Sequence, residues 1–161
     1  MHILVLIKEI TKLIKKNSFC ILSTTSLDGK PHAVGVIYSA KELDIYIQSG
    51  RQTKKVRNIL KKPHVAVVIP IPYIFRFIPP RVIQFQGRAE ILPVTNPKVN
   101  EVYKWRIIEE GGGCFIHIRP DEKIWTQGIG MSFIDRARHP EKAGRTITLA
   151  DCYSDLNINN Q

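Results

Sequence analysis

Cysteine is scarce in this sequence of 161 residues: Cys20, Cys114 and Cys152 are odd in number and far apart. Neither a disulfide framework nor a zinc-ligand spacing is written into it, and a reducing, cytoplasmic compartment is expected. The five histidines, His2, His32, His64, His117 and His139, never fall at metal-ligand spacing with cysteine or carboxylate, so no metal is expected. No arrangement of serine, histidine and aspartate reads as a hydrolase motif. Acid is in deficit too, with 14 Asp and Glu against 24 Lys and Arg, and the resulting +10 charge asks for an anionic partner. The apolar opening, MHILVLIKEITKLIKKN, has no basic residues ahead of it and is broken early by Lys8 and Glu9. Its apolar positions 3, 4, 6, 7, 10, 13 and 14 fit one helix face better than a signal peptide or a membrane span, and no membrane association is expected.

What is present suits one domain, since 43% apolar residues can build a real core at this length. After the N-terminal helix, SFCILSTTS, HAVGVIYS and LDIYIQSG read as three short strands in an antiparallel meander, the first turn made at Asp28-Gly29. A helix follows within SGRQTKKVRNILKKP, and HVAVVIP reads as a buried fourth strand. The proline-rich apolar stretch PIPYIFRFIPP reads as a loop, with Tyr73, Phe75 and Phe77 forming a lid or a subunit contact. RVIQFQGRAEIL alternates, with Val82, Gln84 and Gln86 on one face and Ile83 and Phe85 on the other. NPKVNEVYKWRIIEEGGG reads as a capped helix ending in glycines, and CFIHIRP and KIWTQGIG as two further strands separated by a turn at Asp121 and Glu122. From residue 137 the chain is polar without clear periodicity, and 137–161 is expected to be a flexible or partner-wrapping tail. About seven short antiparallel strands with peripheral helices argue for a small β-barrel, whose closure removes exposed sheet edges.

One charge pattern runs against helix electrostatics. Acidic residues are favoured in a helix's first turn, yet Lys54 and Lys55 follow the expected cap, Thr53. A bound phosphate would reconcile them: first-turn amides are unpaired, Gly50 permits close approach, and Arg51, Thr53, Lys54 and Lys55 can donate charge-assisted hydrogen bonds. A solvated basic helix explains Lys61 and Lys62 equally well, and this stretch alone leaves both readings open.

The order ILSTTSLDGKPHAVGV, LDIYIQSGRQTKKVRNILKKPHVAVV and VIQFQGRAEIL resembles the pyridoxamine 5'-phosphate oxidase-like family, the FMN-binding split barrels, over roughly residues 1–136. The matching pieces are a hairpin at Asp28 to Pro31, Gly-x-x-Thr-x-Lys at Gly50 to Lys55, and Asn58 four residues ahead of the residue before Pro63. The resemblance implies a mainly β split barrel whose single flavin-binding domain spans 1–136. It implies that the backbone of Val34, Gly35, Val36 and Ile37 edges the flavin ring, with Gly35 letting a flat ring approach. Gln48 and Ser49 would bond near the ribityl chain, and Arg51, Thr53, Lys54 and Lys55 would take the phosphate. In WTQGIGMSFIDRA, Gln127, Gly128, Asp135 and Arg136 match the motifs by which the oxidase contacts flavin and substrate. The first arginine and the histidine of that pattern are here Ser132 and Ile134, and Trp125 is displaced by one position. Loss of those polar groups argues against a true pyridoxamine phosphate oxidase, because sites built on buried hydrogen bonds discriminate strongly.

The resemblance thus implies a homodimer with FMN at the interface, passing hydride between a reduced nucleotide and an unidentified small-molecule acceptor. A deazaflavin on the same fold is the nearest alternative, a non-enzymatic flavin-binding protein another, and haem binding through His32, His64 or His117 a further one. Nucleic acid is disfavoured, since the lysines cluster on helices and the aromatics lie in apolar runs instead of interleaving on strands.

Overall fold

The computed structural model describes residues 3–72, 77–108 and 112–150. Helix α1 spans Ile3–Lys16 and buries Leu6, Ile10 and Ile14, whose four-residue spacing places them on one face. Among the described residues eight strands follow: β1 (Phe19–Thr25), β2 (Pro31–Ile37), β3 (Ser39–Lys41), β4 (Asp44–Gly50), β5 (His64–Ile71), β6 (Arg81–Pro93), β7 (Gly113–Gln127) and β8 (Gly144–Thr148). Helix α2 (Lys54–Lys61) lies between β4 and β5, α3 (Pro97–Val102) between β6 and β7, and α4 (Phe133–Arg138) between β7 and β8.

The strands form one sheet in the order β2-β1-β5-β6-β7-β4-β3, with β8 added alongside the far half of β7, and the pairings are antiparallel. Its two end strands are consecutive in the chain, with Tyr38 alone between β2 and β3. The sheet therefore curls into a barrel joined by a covalent corner, leaving a seam where β2 passes β4 without a ladder. Tyr38 fixes that corner: it is 1% exposed, its hydroxyl donates to the Ile14 carbonyl at 2.8 Å, and its amide donates to the Ser18 carbonyl.

Inward-facing Leu22, Ile45, Ile47, Val67, Ile83, Phe85, Ile116 and Ile118 fill the barrel, and α1 and α2 complete the same core with Ile10, Ile14, Val56 and Ile59. Burying each such side chain contributes roughly 1.5–3 kcal/mol. A second, smaller core of Tyr46, Val99, Val102 and Phe115 lies between α3 and the outer face of β4 and β7.

Several local expectations are corrected. The first strands are no simple meander: β4 leaves β2 and pairs with β7, and a three-residue β3 supplies its other neighbour. Residues 113–127 are one strand, not two. Pro120 is tolerated there because it faces Gly87 at a register shift, where the ladder is already interrupted. Pro70 lies inside β5, beyond the stretch paired with β1, so its missing amide costs no bond on that side. The helix after Asn96 stops at Val102, because the Lys104 amide donates to Ser39 Oγ at 3.0 Å instead of continuing the helix. Residues 144–148, read from sequence as part of a tail, pair with Lys123–Gln127. Tyr73, Phe75 and residues 151–161 lie outside the described residues.

Candidate functional site

The turn between β4 and α2 is built by short polar contacts. Thr53 Oγ1 donates to the Gly50 carbonyl at 2.9 Å and lies 3.0 Å from Ser49 Oγ, while the Thr53 amide closes on the Gly50 carbonyl at 3.2 Å. Thr53 occupies the N-cap position in extended conformation, yet its side chain does not cap α2. The hydroxyl is committed to the turn, and the first-turn amides are left without a side-chain acceptor among the described residues. No acidic residue stands in that turn, and Arg51, Lys54 and Lys55 form no ion pair with a described residue. Three cations and a helix start thus share one small region with no counter-charge among the described residues, which fits a phosphate.

Behind this cradle the Cys114 thiol donates to the Ser49 carbonyl at 3.4 Å. Burial raises its pKa, opposed by the nearby positive charges of Arg51 and Lys55. The cradle is anchored from below by Asn58, whose side-chain amide donates to Thr24 Oγ1 at 2.9 Å in a buried contact between α2 and β1. Gln48 is committed as well, donating to the Ile108 carbonyl at 2.7 Å and tying the segment after α3 against β4.

Beside the cradle runs β2. Its Val34–Ile37 stretch pairs only with β1 among the described residues, so its other edge offers unpaired backbone groups along the seam. Val34 and Val36 turn toward the core, whereas Gly35 and Ile37 face outward. The space above Gly35 has an occupant the sequence reading did not foresee. A Cβ there would lie 2.9 Å from the Phe19 ring, so the glycine accommodates a cross-strand aromatic of the same chain.

Gln127 and Arg136 lie elsewhere. Ser49 pairs with Cys114 at the start of β7, and Gln127 ends that strand, on the order of 40 Å away along it at about 3.3 Å per residue. Arg136 packs beside Gly128 and Arg81 and donates to the Pro79 carbonyl at 3.4 Å, while its Nε is buried without a hydrogen-bond partner among the described residues. Burial, then the neighbouring Arg81, lowers its pKa from the ordinary arginine value. The predicted residues thus fall into two groups, Val34–Ile37 with Gln48–Lys55 at the seam, and Gln127 with Arg136 at the far end of β7. Ser132 is occupied locally: its hydroxyl donates to the Asp135 carboxylate at 2.6 Å and accepts from the Asp135 amide at 3.1 Å.

Sequence reasoning passed over a third cluster. His117, 3% exposed on β7, places Nδ1 2.7 Å from a Glu90 carboxylate oxygen and Nε2 2.8 Å from one of Asp44, and it stacks on Tyr46 with ring centroids 4.6 Å apart. Only strand register brings these residues together, and no spacing in the sequence signals it. The outer sheet face carries shallow depressions, one of about 500 Å³ lined by His64, Gln86, Asp121, Glu122, Lys123 and Trp125. None of its lining residues belongs to the cradle.

A curled antiparallel sheet with an open seam and a basic helix start beside it defines a split barrel. The family model described as pyridoxamine 5'-phosphate oxidase matches residues 6–123, and the chain belongs to that family. The match ends before Gln127 and Arg136. No curated protein sequence matches the chain. Among solved structures, an FAD-binding protein from Mesorhizobium loti is 20% identical with a TM-score of 0.59, covering 73% of this chain and 88% of its own. An F420 reductase is 22% identical with a TM-score of 0.53, covering 68% and 91%. The haem storage protein HutZ from Vibrio cholerae is 13% identical with a TM-score of 0.63, covering 76% and 95%. Likeness at these identities shows the fold alone.

Proposed function

We propose that the chain is an FMN-binding oxidoreductase, working as a homodimer with its cofactor at the subunit interface, that passes hydride between a reduced nucleotide and an acceptor still to be identified. The observation that carries this reading is the start of α2: amides uncapped by a side chain, no acid in the first turn, and Arg51, Lys54 and Lys55 without counter-charge among the described residues, all beside an unpaired strand edge. These residues would hold the phosphate. Ser49, Gly50 and Thr53 keep the turn in shape, and the Val34–Ile37 backbone orients the ring. When bound, the flavin supplies hydride acceptance and donation, so the protein's share is orientation, electrostatics and exclusion of water.

The separation of the two residue groups supports the dimer. Gln127 and Arg136 of one chain lie at the other end of β7 from the cradle of the same chain, and a second copy is the economical way to bring them there. Phe19, Ile21 and Ile37, at 49%, 37% and 53% exposure, give the outer face of β1 and β2 the apolar character such a contact uses. Pyridoxamine phosphate is a poor fit as substrate: Ser132 is spent on α4, and Ile134, 57% exposed, offers no polar group.

Purified protein tests the reading directly. A flavin spectrum that survives dialysis, with release of FMN on denaturation, is the expected result, and a colourless protein that ignores added FMN would refute it. A released mass matching a deazaflavin would move the assignment to the alternative, which the basic surface also suits. Of the three candidate haem ligands, His117 is poorly placed to serve, because both its nitrogens are engaged by carboxylates.

A further inference from the structure

The two hydrogen bonds of His117 fix its chemistry. A neutral imidazole has one N–H, yet here both ring nitrogens face carboxylate oxygens, at 2.7 and 2.8 Å, and two acceptors require two donors. With both carboxylates ionised the ring must be an imidazolium, almost fully buried and held from both sides. Glu90 belongs to β6 and Asp44 to β4, so this one cation joins the three adjacent strands β6, β7 and β4.

The other charges around it have identifiable roles. Arg119, on the same strand, adds a second cation on Asp44 at 3.3 Å. On α3, Glu101 is paired with Lys41 of β3 at 3.3 Å. Tyr46 of β4 covers the ring face and stays neutral, its pKa raised first by burial and then by Asp44. The cluster balances only while His117 is charged. Remove its proton, and one carboxylate faces a lone pair in a half-buried site, which is costly.

That placement matters because β4 runs from Asp44 directly into the cradle at Gly50–Lys55, and its outer neighbour β3 is paired over only three residues. We propose that His117 is a positioning residue for the cofactor cradle: its imidazolium ties β4 to β7 and β6, and affinity at the cradle declines when the ring loses its proton. The proposal rests on the FMN reading above. His117 touches no ligand and acts through β4.

The test combines His117 titration by NMR with FMN and riboflavin binding between pH 6 and 9.5, using the full chain, His117→Gln and Glu90→Gln. The unaltered protein should keep a charged His117 at pH 7 and lose FMN affinity several-fold as that proton leaves. Riboflavin, which has no phosphate to seat in the cradle, serves as control and should change much less. His117→Gln should bind several-fold more weakly at pH 7 with a flattened pH profile. Glu90→Gln removes a half-exposed partner, and it should shift the His117 titration and the fall in affinity to lower pH together. A neutral His117 at pH 7, or binding profiles unmoved by either variant, would overturn the proposal while leaving the FMN reading intact. Failure to bind either flavin at any pH, with His117 charged, would overturn the FMN reading and this inference with it.

Discussion

The hydroxyl of Thr53 lies 3.0 Å from that of Ser49 across the turn that joins β4 to α2. The contact faces into the turn and not toward the helix amides, so the residue expected to cap α2 leaves its N-terminus free for another acceptor. That relationship separates the parts of the cradle that shape it from the parts that would bind.

The division can be measured with flavins. Thr53→Ala combined with Lys55→Ala should weaken FMN by about tenfold or more and riboflavin much less, since a charge-assisted hydrogen bond contributes roughly 1.5–3 kcal/mol. Titration by flavin fluorescence checks it. Equal losses for the two ligands would mean the phosphate lies elsewhere.

A site shared between subunits predicts complementation. Neither Thr53→Ala/Lys55→Ala nor Arg136→Ala should bind FMN well as a homodimer, but in a mixed dimer one interface carries both defects and the other carries none. Unfolding and refolding the variants together should restore binding in a fraction of sites. No recovery, despite mixed dimers seen by native mass spectrometry, would place all site residues on one chain.

Stability should depend on pH through the His117 cluster. The hydrogen bond to Asp44 leads in raising the His117 pKa, against the opposing effect of burial. Its contribution is therefore complete below the unfolded value of about 6.5 and lost as pH rises through the folded one. For Asp44, burial acts upward, but the hydrogen bonds from His117 and Arg119 outweigh it and hold the carboxyl low. That contribution is complete above about pH 3.9 and lost as pH falls through the folded value. Thermal unfolding should show their joint support greatest between about pH 4 and 6.5, with His117→Gln removing the alkaline decline.

Two strand glycines should respond differently to alanine. At Gly87 a Cβ would meet the Arg119 carbonyl oxygen at 2.5 Å, and backbone in a paired strand cannot yield, so Gly87→Ala should cost about 2–4 kcal/mol. At Gly35 the obstacle is the half-exposed Phe19 ring, which can swing aside, and the cost should stay below about 1 kcal/mol. Urea unfolding distinguishes the two.

Tyr38→Phe removes the hydroxyl that donates to the Ile14 carbonyl at the covalent corner, leaving a buried acceptor unpaired. A loss of about 1–3 kcal/mol is expected, with little change in fold by circular dichroism. A neutral outcome would mean that water reaches the carbonyl.

Much of the fold was legible along the chain. Alternation in 81–92 predicted which side chains of β6 face inward, and Asp28-Gly29 predicted the hairpin between β1 and β2, where Gly29 has a φ of 84°. β8 was missed because Ile147 and Leu149 are two buried positions within a short polar stretch, too few for a period to stand out. Helix α3 was overextended because propensity could not register that Lys104 is bound by Ser39.

By itself the sequence determined the split-barrel family and the charge pattern of the α2 start, because both are local: short motifs in order, and lysines beside a turn. Tertiary structure alone decided which residues meet. It set β4 against β7 instead of β2, opened the seam, put Gln127 and Arg136 at the far end of β7 from the cradle, and closed Asp44 and Glu90 on His117. Those relationships depend on strand register and on which edges stay unpaired, and neither is encoded in the spacing of residues along one strand.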